Sequence, residues 1–536
     1  MGFTESMRRF LGFDKQDVRY ELLEREKGAP QHWGGWSDVY PDGDVKKVSF
    51  SDDITEIERQ FREVFRSDIN TDIIFRRFNI AGKFPALLIY MNGMAGDKSI
   101  SDFILRPLMA ADGEVKTDPD YLINNILQIS ETETDTDFNS AKLAIMDGRT
   151  ALFVDGSTVA ILLETRSFEK RSVMQPENER AIRGPKEGFT ESLRTNITLV
   201  RRIIHSDDLV AEFRMSGGDN NTRIAIIYRD GVTNRTLIEE IKRRLAAIST
   251  RMVASTGMIE QLIEDTGWSP IPQILSTERP DKACSYIMQG GVALISEGSP
   301  FALVMPVTIA TMMSTSEDIY MRWPLGNVMR VIRYAGVILS LLLPGYFIAL
   351  AMYHQGLLST EVLSTVIQSR KMVFEPLPFE MILLLFVFQL IREAGMRVPG
   401  SVGQAIGVIG GLILGQAAVA ANLASSVILI IVALSGLGNF CIPDYSTQIS
   451  ASYFRIAFVL AAWMGGLLGL VAAFMLFIGY ISNLKSFGVP FLAPYAPKTY
   501  AKRPFILRGK IGLHHRGEDY LNTFGDSLEK RRDTNQ

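Results

Sequence analysis

Ahead of its long apolar stretches, the chain carries two hydrophobic patterns, and each occurs twice. Leu87 to Gly93 (LLIYMNG) is a short apolar run closed by a turn signal, and Ala225 to Gly231 (AIIYRDG) repeats it. Runs of this length bounded by Asn-Gly or Asp-Gly predict buried strands. A helical pattern follows each, over Ile100 to Met109 and Leu237 to Ile248. Farther on, Gly148 to Leu163 (GRTALFVDGSTVAILL) reads as two strands about Asp155-Gly156, and Gly290 to Met305 (GGVALISEGSPFALVM) aligns with it without a gap. The acid-Gly pair supplies the positive φ that a hairpin turn needs. Both repeats recur at an offset of about 140 residues and in the same order. The pattern predicts a duplication, with similar α/β subdomains at 70–168 and 207–310.

The segment between them, 169–206, is polar and then amphipathic. Gly184-Pro185 breaks the chain, and Thr190 is in position to cap a helix. Phe189, Leu193, Ile197, Val200 and Ile204 then recur at intervals of three and four, forming one apolar face. Glu191, Arg194, Thr198, Arg201 and Arg202 fall on the other. This spacing predicts an inter-subdomain helix with a solvated charged face, on which a partner can dock. Charge reversal at Arg201 and Arg202 is then expected to disturb assembly more than folding.

Beyond Arg333 the polar faces disappear. Five runs are candidates to cross a membrane: Ala335 to Tyr353, with Pro344 inside it; Phe379 to Ile391; Gly403 to Ala421; Ala424 to Ile442; and Ile456 to Ile481. Asn422 marks a very short polar link between the third and fourth, a tight helical hairpin or one broken element. Gly403, Gly407, Gly411 and Gly415 recur every fourth residue, the spacing that lets helix backbones approach closely. Gly465 and Gly469 repeat it. Gln404, Gln416 and Asn422 are the polar groups that such a helix would offer to water or ions at a pore. The expected organisation is an N-terminal extension (1–69), the two subdomains and the segment between them, a link (311–334), an α-helical multi-span membrane region (335–482) and a basic tail (483–536).

Charge adds a topology. Arg322, Arg330 and Arg333 precede the first run, and Lys498, Lys502, Arg503, Arg508 and Lys510 follow the last. Excess positive charge at both ends predicts that both are cytoplasmic, which requires an even number of crossings. With five runs, one must be re-entrant, in-plane or half of a broken helix, and the polar second run is the first suspect. Glu380, Arg392 and Glu393 within or beside it read as a structural ion pair or cap rather than a proton relay. The net charge of -3 gives no basis for nucleic-acid binding. Two cysteines, Cys284 and Cys441, make no disulfide framework. Met1-Gly2 with Ser6 fits a myristoylation pattern, and no signal-peptide core is present.

Chemistry is sparse. No phosphate loop, dinucleotide fingerprint, nucleophile elbow or zinc spacing occurs. His514-His515 lies in the basic tail, and the acidic run Glu131 to Asp137 reads as a solvated loop. Asn196-Ile197-Thr198 fits a glycosylation sequon. These observations predict no enzyme, no cofactor and no metal site.

Four stretches carry a family likeness. Gln175 to Arg202 (QPENERAIRGPKEGFTESLRTNITLVRR) resembles the signature of the A subunits of GerA-type spore germinant receptors, at Pro176, Glu179, Arg183, Gly184, Pro185, Gly188, Phe189, Glu191, Asn196, Arg201 and Arg202. Thr277-Glu278-Arg279-Pro280-Asp281, Ser314 to Trp323 (STSEDIYMRW) and Leu390 to Pro399 (LIREAGMRVP) are similar to further stretches of that family. The likeness covers about residues 70–490. It implies a spore inner-membrane subunit that self-associates and works with a transporter-like B subunit and a lipoprotein C subunit. Nutrients would bind the B subunit, while this subunit forms an ion-conducting path. A sporulation-stage paralog acting in ion or dipicolinate release fits the same motifs. A stand-alone transporter would show an inverted repeat among its membrane helices, whereas the duplication here lies in the soluble half.

Overall fold

In the computed structural model, the described residues are 49–112, 115–167, 175–176, 178–179, 181–217, 219–397, 415–497, 521 and 523. Gly403, Gln404, Gly407, Gly411, His514-His515, the myristoylation pattern and the basic residues of the tail lie outside them.

The strand expected at Leu87 is β2 (Phe84–Met91), and it alternates strictly. Leu87, Ile89 and Met91 enter one core, while Ala86 and Leu88 enter the other. A sheet covered on both faces explains why the sequence shows an apolar run rather than apolar-polar alternation. Its neighbours are β1 (Ile73–Ile80), β4 (Thr150–Val154), β5 (Ala160–Leu163) and β3 (Thr132–Asp135), in the order β1-β2-β4-β5-β3. On one face lie α1 (Ile54–Val64) and α5 (Phe138–Met146). The other holds α2 (Asp97–Ile100), a π-helical turn (Ser101–Leu105), α3 (Arg106–Met109) and α4 (Pro119–Asn125).

After α6 (Leu193–Ile203) the plan repeats. The strands β6 (Leu209–Ser216), β7 (Thr222–Arg229), β9 (Val292–Ser296), β10 (Ala302–Met305) and β8 (Leu275–Thr277) form a sheet in the order β6-β7-β9-β10-β8. It carries α7 (Arg235–Ala246), α8 (Thr256–Ile263) and α9 (Pro280–Met288). Each strand of the first sheet has a counterpart at the same place in the second. Every pairing between these strands is antiparallel, so the α/β expectation becomes α+β. Both hairpin turns place glycine at positive φ, Gly156 at 80° and Gly298 at 78°.

Two short helices, α10 (Ile309–Met312) and α11 (Glu317–Tyr320), lead into the helical region. There α12 (Trp323–Tyr353) contains Pro344, and α13 (Thr360–Arg370) follows it. The remaining helices are α14 (Leu377–Arg397), α15 (Ser426–Phe440) and α16 (Tyr445–Asn483). By length and hydropathy, two of these can cross a membrane, α12 and α16. The polar second run is a continuous helix, α14. It runs parallel to α15: Glu380 meets the cap of α15 at Ser425, and Phe388 packs on Gly436. Helical residues 415–420 turn through Asn422, at φ 56°, into α15.

The expectation of one long final span is corrected. Within α16, Gly466 takes φ 59° and ψ -141°, a conformation that breaks the helix. The two arms run back against each other, with the rings of Phe454 and Phe477 4.7 Å apart and those of Phe458 and Phe474 6.5 Å apart. Ser450 Oγ, on the first arm, donates to the Pro270 carbonyl, and Tyr480 Oη, on the second, donates to Ser269 Oγ at 2.8 Å. Both ends of the hairpin therefore return to the second subdomain, at the loop before β8. The close approach expected of Gly465 and Gly469 is made by the second alone. Gly465 has open space around it, and a side chain on Gly469 would meet the Ala461 carbonyl of the opposing arm. Close helix approach also occurs at Gly336 and Gly438, where α12 crosses α15.

A side chain at position 466 would meet the Tyr353 ring at 3.0 Å as well as the wrong backbone conformation. Gly466→Val is expected to destabilise the protein by about 1–3 kcal/mol. The measurement is the thermal midpoint of the full chain in detergent, and an unchanged midpoint would show that the turn accepts a side chain.

Candidate coupling site at the subdomain joint

The helix α6 is placed by its cap and by its two faces. Ser192, not Thr190, is the N-cap, accepting from Thr195 N at 3.4 Å. Thr190 instead closes a loop onto Asn196, whose side-chain oxygen accepts from Thr190 N at 2.7 Å and whose Nδ2 donates to the Thr190 carbonyl at 2.6 Å. Asn196 is fully buried by this exchange. The apolar face expected from spacing packs as predicted: Phe189, Leu193, Ile197, Val200 and Ile204 share one core with Leu275, Ile287 and Val304 of the second subdomain. The same core contains Tyr480, Ile481 and Leu484 at the end of α16.

The opposite face is not solvated along its length, because the first subdomain covers much of it. Gly93 sits against Arg194, and a Cβ there would lie 2.8 Å from Arg194 Cγ. Arg201 is 4 % exposed. It donates from Nε to Asp72 Oδ2 at 2.8 Å and from Nη2 to Asp72 Oδ1 at 3.0 Å, the two-pronged pairing a guanidinium makes with a carboxylate. Nη2 also reaches Asn70 Oδ1 at 3.3 Å, and that oxygen accepts from Ala211 N of β6 at 3.2 Å. Arg66 with Asp230, at 2.5 Å, and Lys142 with Asp207, at 3.0 Å, add two more ties across the joint. Glu191, Arg194 and Arg202 do remain exposed, the last beside Glu187 at 3.3 Å.

The polar half of the segment docks on the second subdomain. Glu179 accepts from Lys282 Nζ at 2.7 Å and Glu278 N at 3.0 Å, and also from Thr277 Oγ1. Glu278 takes both donors of Asn178, and its carbonyl accepts from Phe189 N at 2.7 Å. Arg279 spans the carbonyls of Glu179 and Pro185, at 3.2 and 3.1 Å, while gripping Asp281 at 3.0 and 2.8 Å. Burial opposes the charge on Arg279, yet its bonds to Asp281 hold its proton more firmly than usual. Tyr320 Oη donates to Asp281 Oδ2 at 2.7 Å, and the Tyr320 ring lies on Gly184. Gly184 has φ 115°, and a Cβ there would meet the ring at 2.5 Å, so glycine satisfies two demands at once. Pro176, Gly188 and Pro280 are buried around this network, whereas Arg183 and Pro185 are exposed.

From Tyr320 the path continues into the helices. Asp318 is buried and accepts from Arg330 Nε at 3.0 Å and from Arg333 at 2.9 and 3.1 Å. Burial pushes the Asp318 carboxyl up, but the Arg333 hydrogen bonds and the two arginine charges outweigh it and hold it below the usual range. Arg330 and Arg333, expected as topology charges, thus anchor α12 to the link.

The profile of the Bacillus/Clostridium GerA spore germination protein family matches residues 59–517, across both sheets and the helical region. The chain belongs to the GerA family. Spore germination protein GerLA of Bacillus cereus is 33% identical over 492 residues, 91% of this chain and 99% of that one. The uncharacterized membrane protein YfkQ of Bacillus subtilis (strain 168) is 32% identical over 469 residues, 86% of this chain and 91% of the relative. The solved N-terminal domain of the A subunit of the Bacillus megaterium spore germinant receptor GerK3 is 27% identical, covering 49% of this chain and 97% of that one at a TM-score of 0.39.

In this GerA-family chain, Glu179, Gly184, Pro185 and Phe189 of the signature meet around the Thr277 to Asp281 stretch and Tyr320, whereas Arg201 meets Asp72 and Arg183, Glu191 and Arg202 stay exposed. The membrane residues do not join them. Arg392 is buried, Glu393 half-buried, and Gln416 and Asn422 exposed, while a Cβ on Gly415 would have ordinary contact with Leu429 at 3.4 Å. The expected structural ion pair exists, but Glu380 makes it with Arg370 at 3.2 Å rather than with Arg392. Sequence reading missed Asp72, Asn70 and Asp318, which sit at element ends with no periodic signal. It also missed Arg455, one residue before the last apolar run; Gln448, Ser452 and Arg455, spaced four and three apart, mark it as part of a polar helix stripe. Among the described residues, no group of three or more His, Cys, Asp or Glu side chains can hold a metal ion.

The expectation for charge reversal at Arg201 and Arg202 divides. Arg201→Ala leaves Asp72 buried and unpaired, a loss of about 3–5 kcal/mol, while Arg202→Glu at the surface costs about 0.5 kcal/mol or less. Chemical unfolding of the full-length variants checks this, and equal losses would show that Arg201 and Asp72 do not act as a buried pair.

Proposed function

We propose that this chain is the A subunit of a nutrient germinant receptor in the spore inner membrane, working with a B and a C subunit. The observation that carries the reading is the GerA family match through both sheets and the helical region. The fold supports a coupling role within it. A change imposed on either subdomain reaches α6, which shares its core with the end of α16, and the polar segment before it, which meets α11 at Glu317 and Tyr320; Asp318 of α11 in turn holds Arg333 of α12. Ligand binding on a partner then shifts helix packing and opens an ion-conducting path between copies of the chain.

The broken α16 supports six crossings. With the apolar run Gly403 to Ala421 counted as one crossing from its sequence, α12, α14, α15 and the two arms of α16 bring the total to an even number, with both chain ends on the cytoplasmic side. The glycine series at Gly403, Gly407, Gly411 and Gly415 falls in that apolar run and is the surface we assign to packing around the path.

The test is ion flux from liposomes holding the chain with its partner subunits. Nutrient is expected to raise flux with the wild-type chain, and Gly411→Leu to lower it roughly tenfold at equal complex levels. Normal flux from the variant would remove the glycine face from the mechanism. A wild-type complex that passes no ions would remove the path itself.

A further inference from the structure

Two arginines lie inside the helical region without a carboxylate to meet them. Arg455 is 2% exposed and Arg392 9%. Arg455 donates from Nη1 to Ser435 Oγ at 3.1 Å and from Nη2 to Ser452 Oγ at 3.4 Å. With the Asn439 amide turned so that its oxygen faces Arg392, Arg392 Nη1 donates to that oxygen at 2.8 Å and the Asn439 amide nitrogen reaches the Gln448 carbonyl at 3.3 Å. Among the described residues neither arginine forms an ion pair, and Nε and Nη2 of Arg392 and Nε of Arg455 are buried with no acceptor.

The chain has little to offer as a counter-charge. α12, α15 and α16 contain no Asp or Glu, and neither do residues 398–414. On α14, Glu380 is held by Arg370 and by Ser425 N, while Glu393, next to Arg392 in sequence, points from a different helix face. Neutral hydroxyls and one amide orient the guanidiniums without cancelling their charge, and uncompensated charge in such surroundings is costly. The unused donors also have a shape. Nε and Nη2 form the side edge of the Arg392 guanidinium, whose two parallel N–H bonds match the two oxygens of a carboxylate. A spherical halide matches that edge less well, and a cation is repelled by it.

We propose that Arg392 and Arg455 form an internal site for one small oxyanion of the carboxylate class, bound side-on by Arg392 and through Nε by Arg455. The anion joins α14 to the first arm of α16, next to Asn439 on α15. The site does not depend on the receptor reading, because its test measures binding and not germination.

The full-length chain in detergent is titrated with sodium formate, with sodium chloride holding ionic strength constant, and followed by thermal unfolding. Formate is expected to raise the midpoint saturably, as a ligand of the folded state does, and chloride to do so far less. Arg392→Lys keeps the charge but loses the fork, so its half-saturating formate concentration is expected to rise about tenfold. Ser435→Ala, which frees Arg455 Nη1, serves as the second variant and is expected to weaken formate binding in the same direction. Equal responses to formate and chloride, no saturation, or unchanged formate binding in both variants would overturn the proposal and leave water around the two guanidiniums. Repeating the titration on the complex separates the sources of the carboxylate. A formate response kept in the complex supports a free anion. A response seen with the chain alone and lost on complex formation supports the same site filled by a partner's Asp or Glu.

Discussion

The pairing of Arg201 with Asp72 fixes how the two halves of the soluble region meet. A guanidinium buried between two sheets is tolerated only when a carboxylate and correctly placed hydrogen bonds surround it. That requirement is directional where hydrophobic packing is not. Apolar side chains of α6 would be covered by many relative placements of the subdomains, but few of these bring Asp72, Asn70 and the backbone of β6 to the same guanidinium. The first subdomain is thereby held in one orientation on a helix whose other face belongs to the second.

The same logic extends toward the helical region. Arg279 collects two carbonyls and a carboxylate, Tyr320 shares that carboxylate, and Asp318 two residues earlier takes both arginines of α12. Each link is short and bonded at both ends, and all but the exposed Tyr320 hydroxyl bond are buried or half-buried. A chain of such contacts has discrete arrangements, unlike a layer of interchangeable methyl groups, so it is suited to passing a change in position from sheet to helix. The apolar core around Tyr480 and Ile481 runs beside it and gives the second arm of α16 a direct seat on the sheet.

Much of this architecture was legible in the chain, and the misses have physical causes. Strands β2 and β7 were visible as apolar runs with glycine turns, and the near-constant offset between the repeats carried the second sheet. The apolar face of α6 was legible because burial on one side of a helix imposes its period on the sequence. Its polar face was misread at Arg201, since a buried ion pair and a solvated arginine look alike until the partner is placed, and Asp72 lies 129 residues away. Thr190 and Ser192 are both good caps by composition. The choice fell to Ser192 because Asn196 claims Thr190. The last apolar run gave no warning of its reversal: glycines at 465, 466, 469 and 479 all satisfy the same hydropathy, and only packing against Tyr353 and the opposing arm singles out Gly466.

The sequence by itself determined the duplication, the alternation that builds each sheet, the apolar face of the joining helix, the abrupt loss of charge after Arg333 and the family of the chain. These are local or periodic properties, written at fixed spacing by the geometry of strands and helices. Tertiary structure decided the antiparallel order of the sheets, which side of α6 faces which subdomain, the folding back of α16, and the meeting of Arg392 and Arg455 with three neutral polar side chains. Those outcomes depend on contacts between residues far apart in the chain, where a charge or a glycine acquires its role only from the group placed against it.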